Sequence, residues 1–167
     1  MISGRLSSRR GILDVVRVEV RPATAADQAA IAALVRAARL NPRGLEWPAF
    51  AVAADAESGD LIGVAQIRVG PDAARELASL VVVPTARGHG VATRLVDALL
   101  ADDHGGVVYA VVDRPYVGHF ARWGFAPVPP RTLPRSVART YRVGRVITTM
   151  LSPLARRWIR LVPIARA

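Results

Sequence analysis

The chain has 167 residues and a net charge of +10 at neutral pH, with arginine as its only strongly basic residue type because lysine is absent. It contains no cysteine, which excludes disulfides and thiol catalysis, and its three histidines lack the spacing of a zinc site, so we expect no metal. No apolar run is long enough to cross a membrane, and the first residues lack the apolar block of a signal peptide, which predicts a cytoplasmic protein.

Charge is unevenly distributed along the chain. All 13 acidic residues lie at or before Asp113, whereas nine arginines fall within residues 131–167. We expect a basic leader over residues 1–14 and a single domain over residues 15–167, in which residues 131–167 form a basic C-terminal segment. This segment is the part suited to an anionic partner, but few aromatic residues and no obvious recognition helix argue against nucleic acid.

The first half of the domain is predicted to contain four strands and one helix. A capping box at Thr24 and Asp27 starts the helix, which has Ile31 and Val35 on its apolar face. The sequence Asn-Pro-Arg-Gly at residues 41–44 ends it. The predicted strands cover residues 15–20, 50–54, 61–69 and 76–83, of which the second and third form a hairpin.

The second half is predicted to complete a mixed, mostly antiparallel sheet flanked by helices, which is an α/β (α+β) fold. An arginine-rich helical insertion near the C-terminus precedes a last strand that returns to the sheet. The predicted helices begin at Val91 and cover residues 116–123 and 136–150, and the predicted strands cover residues 107–112, 126–128 and 158–164, the first of them apolar and buried.

A glycine-rich turn between the fourth strand and the next helix is the most informative local feature. Residues 87–92 read Arg-Gly-His-Gly-Val-Ala. Glycines let the backbone approach an anion closely, and the free N–H groups at the positive end of a helix favour negative charge. The absence of lysine excludes a Walker A loop, and Thr93 stands where a dinucleotide fingerprint needs a third glycine. The turn therefore predicts a pyrophosphate site for another cofactor; the alternative is an ordinary connection without a ligand.

This part of the chain resembles the pyrophosphate-binding segment of the GNAT superfamily of acetyl-CoA-dependent N-acyltransferases. Arg87, Gly90 and Ala92 fill the specified positions of the family pattern Arg/Gln-x-x-Gly-x-Gly/Ala. Family-like features flank the pattern in order, at residues 21–24, 61–64 and 123–125. The resemblance implies that acetyl-CoA contacts Leu80, Val81, Val82, Val83, Arg87, Gly88, His89, Gly90, Val91, Ala92, Thr93 and Phe120.

The resemblance also implies a mechanism. In this superfamily the fourth and fifth strands splay apart, the thioester lies in the gap, and an amine attacks its carbonyl directly. Glu76, near the start of the fourth strand, is then the candidate general base; the alternative is a solvated carboxylate paired with Arg68 or Arg75. Strand alternation predicts one face with Glu76, Ala78 and Leu80 and another with Leu77, Ser79 and Val81.

The general acid is the point at which the sequence departs from the family. Many relatives carry a tyrosine four residues before the glycine of the Trp-Gly-Phe feature, where this chain has Phe120. Tyr116, one helical turn earlier on the same face, and His119 are the nearest substitutes. A thiolate that leaves into water needs no side-chain acid.

The resemblance predicts an N-acetyltransferase that acts on a primary amine of a small molecule, such as an amino acid. The loop with Arg43, Glu46 and Trp47 is expected at the acceptor pocket, although Trp47 also suits the core. The alternatives are a protein N-terminal or lysine acetyltransferase, and a non-catalytic module that binds acyl-CoA or nucleic acid. Two interpretations of the C-terminal segment stay open, docking on the domain and a surface-binding appendage, and so does homodimer formation.

Overall fold

The computed structural model describes residues 17–101, 103, 105–151 and 159–167, which form seven strands and four α-helices. The predicted leader and the predicted starts of the first and last strands lie outside these residues. The strands are β1 (Val18–Pro22), β2 (Phe50–Asp55), β3 (Leu61–Val69), β4 (Arg75–Val82), β5 (Val108–Asp113), β6 (Ala126–Pro127) and β7 (Leu161–Arg166). The helices are α1 (Gln28–Ala37), α2 (Val91–Ala101), α3 (Val117–Phe120) and α4 (Arg135–Leu151).

All seven strands belong to one sheet with the order β1-β2-β3-β4-β5-β7-β6. Every neighbouring pair is antiparallel except β4 and β5, which are parallel. The predicted mixed, mostly antiparallel sheet is confirmed. Residues 75–77 of β4 pair with residues 108–110 of β5, and beyond them the two strands part. Both strands continue past this point, so a gap opens between their C-terminal halves.

The helices cover the sheet on both faces. Ile31 and Val35 of α1 are fully buried and pack with Val64 of β3 on one face. Leu95 of α2 is equally buried and packs with Ala65, the next residue of β3, on the opposite face. Because consecutive strand residues point to opposite faces, this register fixes which helix each side chain meets. α4 packs against β5 and β7.

A bulge in β4 makes the predicted alternation of this strand wrong. Val64 pairs with Val81 and Gln66 with Ala78, so two steps along β3 oppose three steps along β4. The additional residue reverses the side chains that follow it. Leu80 therefore packs on the α2 face rather than on that of Glu76, and Val81 packs beside α1. The periodicity of the sequence cannot reveal such a bulge, because the bulge depends on how β4 pairs with β3 and does not change the order of apolar and polar residues.

Smaller differences concern the ends and burial of elements. β5 begins one residue later than predicted, and of its residues only Val108 and Ala110 are fully buried, so the prediction of a strand buried throughout is wrong. The predicted helix over residues 116–123 is divided into a 3-10 turn, the four residues of α3 and a second 3-10 turn. α4 agrees with the predicted helix, and β7 returns to the sheet at Leu161.

Candidate active site

The turn between β4 and α2 has an open outer side. Gly88 and Gly90 have φ values of +82° and +75°, a left-handed conformation that is strained for other residues. A Cβ atom placed on either glycine would meet no atom of the described residues within 4 Å. The sequence therefore uses glycine here for backbone conformation and leaves free space beside the turn, which suits close approach of an anion.

The start of α2 directs unpaired amides toward this space. The first backbone hydrogen bond of the helix runs from Arg94 N to Gly90 O, at 3.0 Å. The three preceding amides have no acceptor one turn earlier in the helix, as at any helix start. The residues that carry these amides, Val91, Ala92 and Thr93, line a depression of about 230 Å³. Seven of the twelve residues predicted to contact acetyl-CoA line it together: Val82, Arg87, Gly88, Gly90, Val91, Ala92 and Thr93, with Ala86 in addition.

Arginines surround the depression. Arg87 Nε donates a hydrogen bond of 3.1 Å to Val82 O, which ties the turn to the end of β4. Arg122, which sequence reasoning did not single out, reaches Thr93 Oγ1 at 3.5 Å from the segment after α3. His89 does not line the depression; its Nδ1 lies 2.9 Å from Arg87 O and donates to that carbonyl. The positive side chains and the helix dipole would thus both favour an anion at this position.

The candidate base is buried, so the interpretation as a solvated carboxylate is wrong, although the pairing with Arg68 that belonged to that interpretation is present. Glu76 is 5% exposed, and its Oε2 accepts hydrogen bonds from Arg68 Nη2 at 2.7 Å and Nε at 3.1 Å. Thr140 Oγ1 of α4 lies 3.4 Å from the same oxygen and accepts from Arg68 Nη2 at 3.0 Å. Arg75, the other partner considered, pairs with Asp103 instead.

The two oxygens of this carboxylate are in different situations. Every contact from the described residues converges on Oε2, whereas Oε1 has no partner among them and is not sealed from solvent. Burial raises the pKa of Glu76 above the ordinary 4.5, and the Arg68 guanidinium and the Thr140 hydroxyl act in the opposite direction. The result is a carboxylate more basic than usual, with one oxygen held and the other free to take a proton.

The aromatic residues near α3 divide into core and surface. Phe120 is buried, with its ring centroid 5.8 Å from that of Phe125 and 5.7 Å from that of Trp123. Tyr116 is 49% exposed at the N-cap of α3, and its ring lies 6.2 Å from that of His119. The predicted common face of Tyr116 and Phe120 is therefore wrong, because the 3-10 turn before α3 places the phenol outside the core.

The predicted acceptor loop is held by a residue of α1. Gln28 Nε2 donates to Leu45 O at 2.7 Å, and its Oε1 accepts from Trp47 N at 3.0 Å. The Trp47 side chain packs partly against the core around α1.

Among the described residues, no group of three or more acidic or histidine side chains is placed to hold a metal ion, and no helix is long and apolar enough to span a membrane.

The chain matches one protein-family model and many solved structures. The family model described as acetyltransferase (GNAT) family matches residues 18–125. A search of curated proteins finds no matching sequence. Among solved structures, N-acetylglutamate synthase from Neisseria gonorrhoeae, in complex with coenzyme A and N-acetyl-glutamate, aligns with a TM-score of 0.66 and 23% identity over 89% of this chain. The match takes in 34% of the synthase, so the present chain spans about a third of that protein.

Two other solved structures match over nearly their whole length. Rv2747 from Mycobacterium tuberculosis, in complex with CoA, has a TM-score of 0.63 and 23% identity, with 89% of this chain and 98% of that chain covered. Ard1 from Thermoplasma volcanium has a TM-score of 0.58 and 13% identity, with 89% and 96% covered. At these identities the likeness establishes a common fold, and the residues of this chain have to carry the argument about its site.

Proposed function

Because the chain belongs to the GNAT family of acetyltransferases, we propose that it transfers the acetyl group of acetyl-CoA to a primary amine of a small molecule such as an amino acid. The observation that carries this proposal is the open amide turn at the start of α2, which adjoins the end of β4 where β4 and β5 separate. Pyrophosphate held at the turn would let the thioester arm extend into the gap. The CoA complexes of the gonococcal synthase and of Rv2747 support this choice of cosubstrate.

The proposed reaction is direct attack. The amine nitrogen forms a bond to the thioester carbonyl carbon, the C–S bond breaks, and CoA leaves as a thiolate. Backbone amides of β4 that face the gap have no described strand beside them beyond Leu77, and they are the donors proposed for the oxyanion. Val82 is one of them: the Val83 amide bonds Ile62 O on the β3 side, so the preceding amide points the other way.

Proton removal is assigned to Glu76. An ammonium group must lose a proton before it can attack, and a carboxylate whose pKa is raised by burial holds that proton more firmly than an exposed one. We assign acceptance to Oε1, since Arg68 and Thr140 engage Oε2. Phe120 cannot donate a proton to the thiolate; Tyr116 is exposed, and water or Tyr116 is the proposed source.

The test is a screen for release of CoA thiol from acetyl-CoA, with amino acids, polyamines and a peptide with a free N-terminus as acceptors. Glu76→Gln keeps the shape of the side chain and loses its basicity, so we expect kcat to fall by about 10²- to 10⁴-fold, with partial recovery at high pH, where solvent supplies free amine. The affinity for acetyl-CoA should not change. Glu57→Gln is the matched control, because Glu57 is exposed in the β2–β3 turn.

Three results would contradict parts of the proposal. Binding of acetyl-CoA without thiol release for any acceptor would identify a non-catalytic acyl-CoA-binding module. Release with the peptide alone would favour a protein acetyltransferase over a small-molecule enzyme. Wild-type turnover in Glu76→Gln would assign proton removal to another group while leaving acetyl transfer intact.

A further inference from the structure

One buried side chain beside the β4 bulge lacks the partners that buried polar groups normally have. Gln66 of β3 is fully buried; its Nε2 donates to Ser79 Oγ at 2.9 Å, and its Oε1 has no partner within the described part of the chain. An unpaired buried carbonyl costs stability, and methionine would fill the same space without that cost. Stability alone therefore does not account for a glutamine here.

The partner of Gln66 has an unusual backbone conformation. Ser79 has a φ of +54°, in the left-handed region that residues other than glycine rarely adopt. It lies at the point where β4 gains its additional residue relative to β3. A left-handed residue other than glycine costs roughly 1–2 kcal/mol, so its surroundings have to hold it. The hydrogen bond from Gln66 is a contact that does so through the side chain.

The bulge determines what β4 presents to the gap. Upstream of Ser79, β4 pairs with β5 through residues 75–77; downstream of it, alternate amides such as that of Val82 face the side where no described strand lies, and the Val83 amide bonds to β3. A change at Ser79 would therefore move the donors proposed for the thioester carbonyl, leaving the phosphate turn and Glu76 in place. Gln66 itself is fully buried, so it acts through Ser79 rather than by contact with a substrate.

We propose that Gln66 is a positioning residue, which holds Ser79 in its left-handed conformation so that the β4 amides beyond the bulge are aimed at the acetyl carbonyl. This inference rests on the proposed function. It assigns a role in acetyl recognition to a side chain of β3, a strand that lies on the far side of β4 from the gap.

The test compares the affinities of acetyl-CoA and free CoA, measured by titration calorimetry on the full chain. Both ligands use the phosphate turn, and only acetyl-CoA uses the carbonyl contact. For Gln66→Met and Ser79→Ala we expect acetyl-CoA to bind about tenfold more weakly, the worth of one hydrogen bond, with CoA unchanged. The double variant should lose no more than either single variant, because both remove the same contact. Val52→Ala, which opens a cavity in β2 and leaves the hydrogen bond between Gln66 and Ser79 intact, is the control for general loss of stability.

The outcomes separate this inference from the proposed function. If the wild type binds neither ligand, the proposed function fails and the inference with it. If the wild type binds both and Gln66→Met keeps the wild-type affinity ratio, or if Val52→Ala changes that ratio equally, the inference fails alone. Additive losses in the double variant would also overturn it. Should Gln66→Met not fold, Ser79→Ala, whose side chain is only partly buried, decides the question by the same ratio.

Discussion

Gly90 offers a test of the phosphate turn in which strain and ligand binding can be separated. Its φ of +75° and the empty space beside it mean that a side chain there costs only backbone strain, roughly 1–2 kcal/mol. For a chain of this length each kcal/mol lowers the melting temperature by roughly 2–4 °C. Gly90→Glu should therefore stay folded while placing a carboxylate where we propose that phosphate binds.

The chain provides a matched control at Gly59. This glycine lies in the β2–β3 turn with a φ of +76°, and a Cβ there would likewise meet no atom within 4 Å in the part of the chain that the structure describes. Gly59→Glu should thus carry the same strain and the same charge away from the site. The comparison of Gly90→Glu with Gly59→Glu removes both effects and leaves the contribution of the phosphate turn.

The assay is thermal unfolding with and without acetyl-CoA. At a ligand concentration of about 100 times Kd, binding stabilises the folded state by about 2.7 kcal/mol, which corresponds to a rise of roughly 5–10 °C. We expect this rise in the wild type and in Gly59→Glu, and its loss in Gly90→Glu. An equal rise in all three proteins would refute the assignment of pyrophosphate to this turn.

Three further predictions follow from the ion pairs and the sheet order. Arg68→Met should raise the pKa of the proposed base further, because only Thr140 would then oppose the effect of burial, and should move the acidic limb of kcat/KM to higher pH; an unmoved limb would contradict the base assignment. The hydrogen bond from Arg21 lowers the pKa of Asp27 below its ordinary 3.8, so its stabilisation is present above that value and lost as pH falls below it. Urea unfolding of Asp27→Asn should therefore show a weaker loss of stability in acid than the wild type. Deletion of residues 131–167 removes β7 from between β5 and β6 and should abolish cooperative unfolding; a stable, active product that had lost only affinity for anionic vesicles would favour a surface appendage.

Local signals in the sequence were sufficient where one element determines the structure. The predicted capping box is present, with Thr24 N donating to Asp27 Oδ2 at 2.7 Å, and it begins a 3-10 turn over residues 25–27 that leads directly into α1. The glycines of the turn and the apolar spacing of α2 likewise predicted a strand, a turn and a helix in that order. Each of these features depends on residues within one or two turns of chain, which is the range over which periodicity and turn chemistry are informative.

Features that depend on pairing between strands could not be predicted in this way. The bulge is defined by the register of β3 against β4, and Ser79 gives no sign in the sequence of its left-handed conformation. One of the hydrogen-bonding groups around the buried Glu76 carboxylate is Thr140, which is 64 residues away in the sequence. A single sequence offers two arginines as equivalent partners for this carboxylate; only the fold shows that one of them is engaged elsewhere.

The contact between α4 and Glu76 bears on how the basic segment relates to the site. The acidic residues all precede this segment, so charge alone suggests a part that works independently of the domain. The buried side of α4 nevertheless makes defined contacts with the domain: Val137 is fully buried, and the Thr140 hydroxyl contacts both Arg68 and Glu76. The exposed arginines occupy the other side of the helix, at positions 135, 139, 142 and 145. A hydroxyl that bridges both members of a buried ion pair fixes their geometry as well as their charge. We therefore expect the docked side of α4 to affect proton transfer, and its arginine side to affect only the surface.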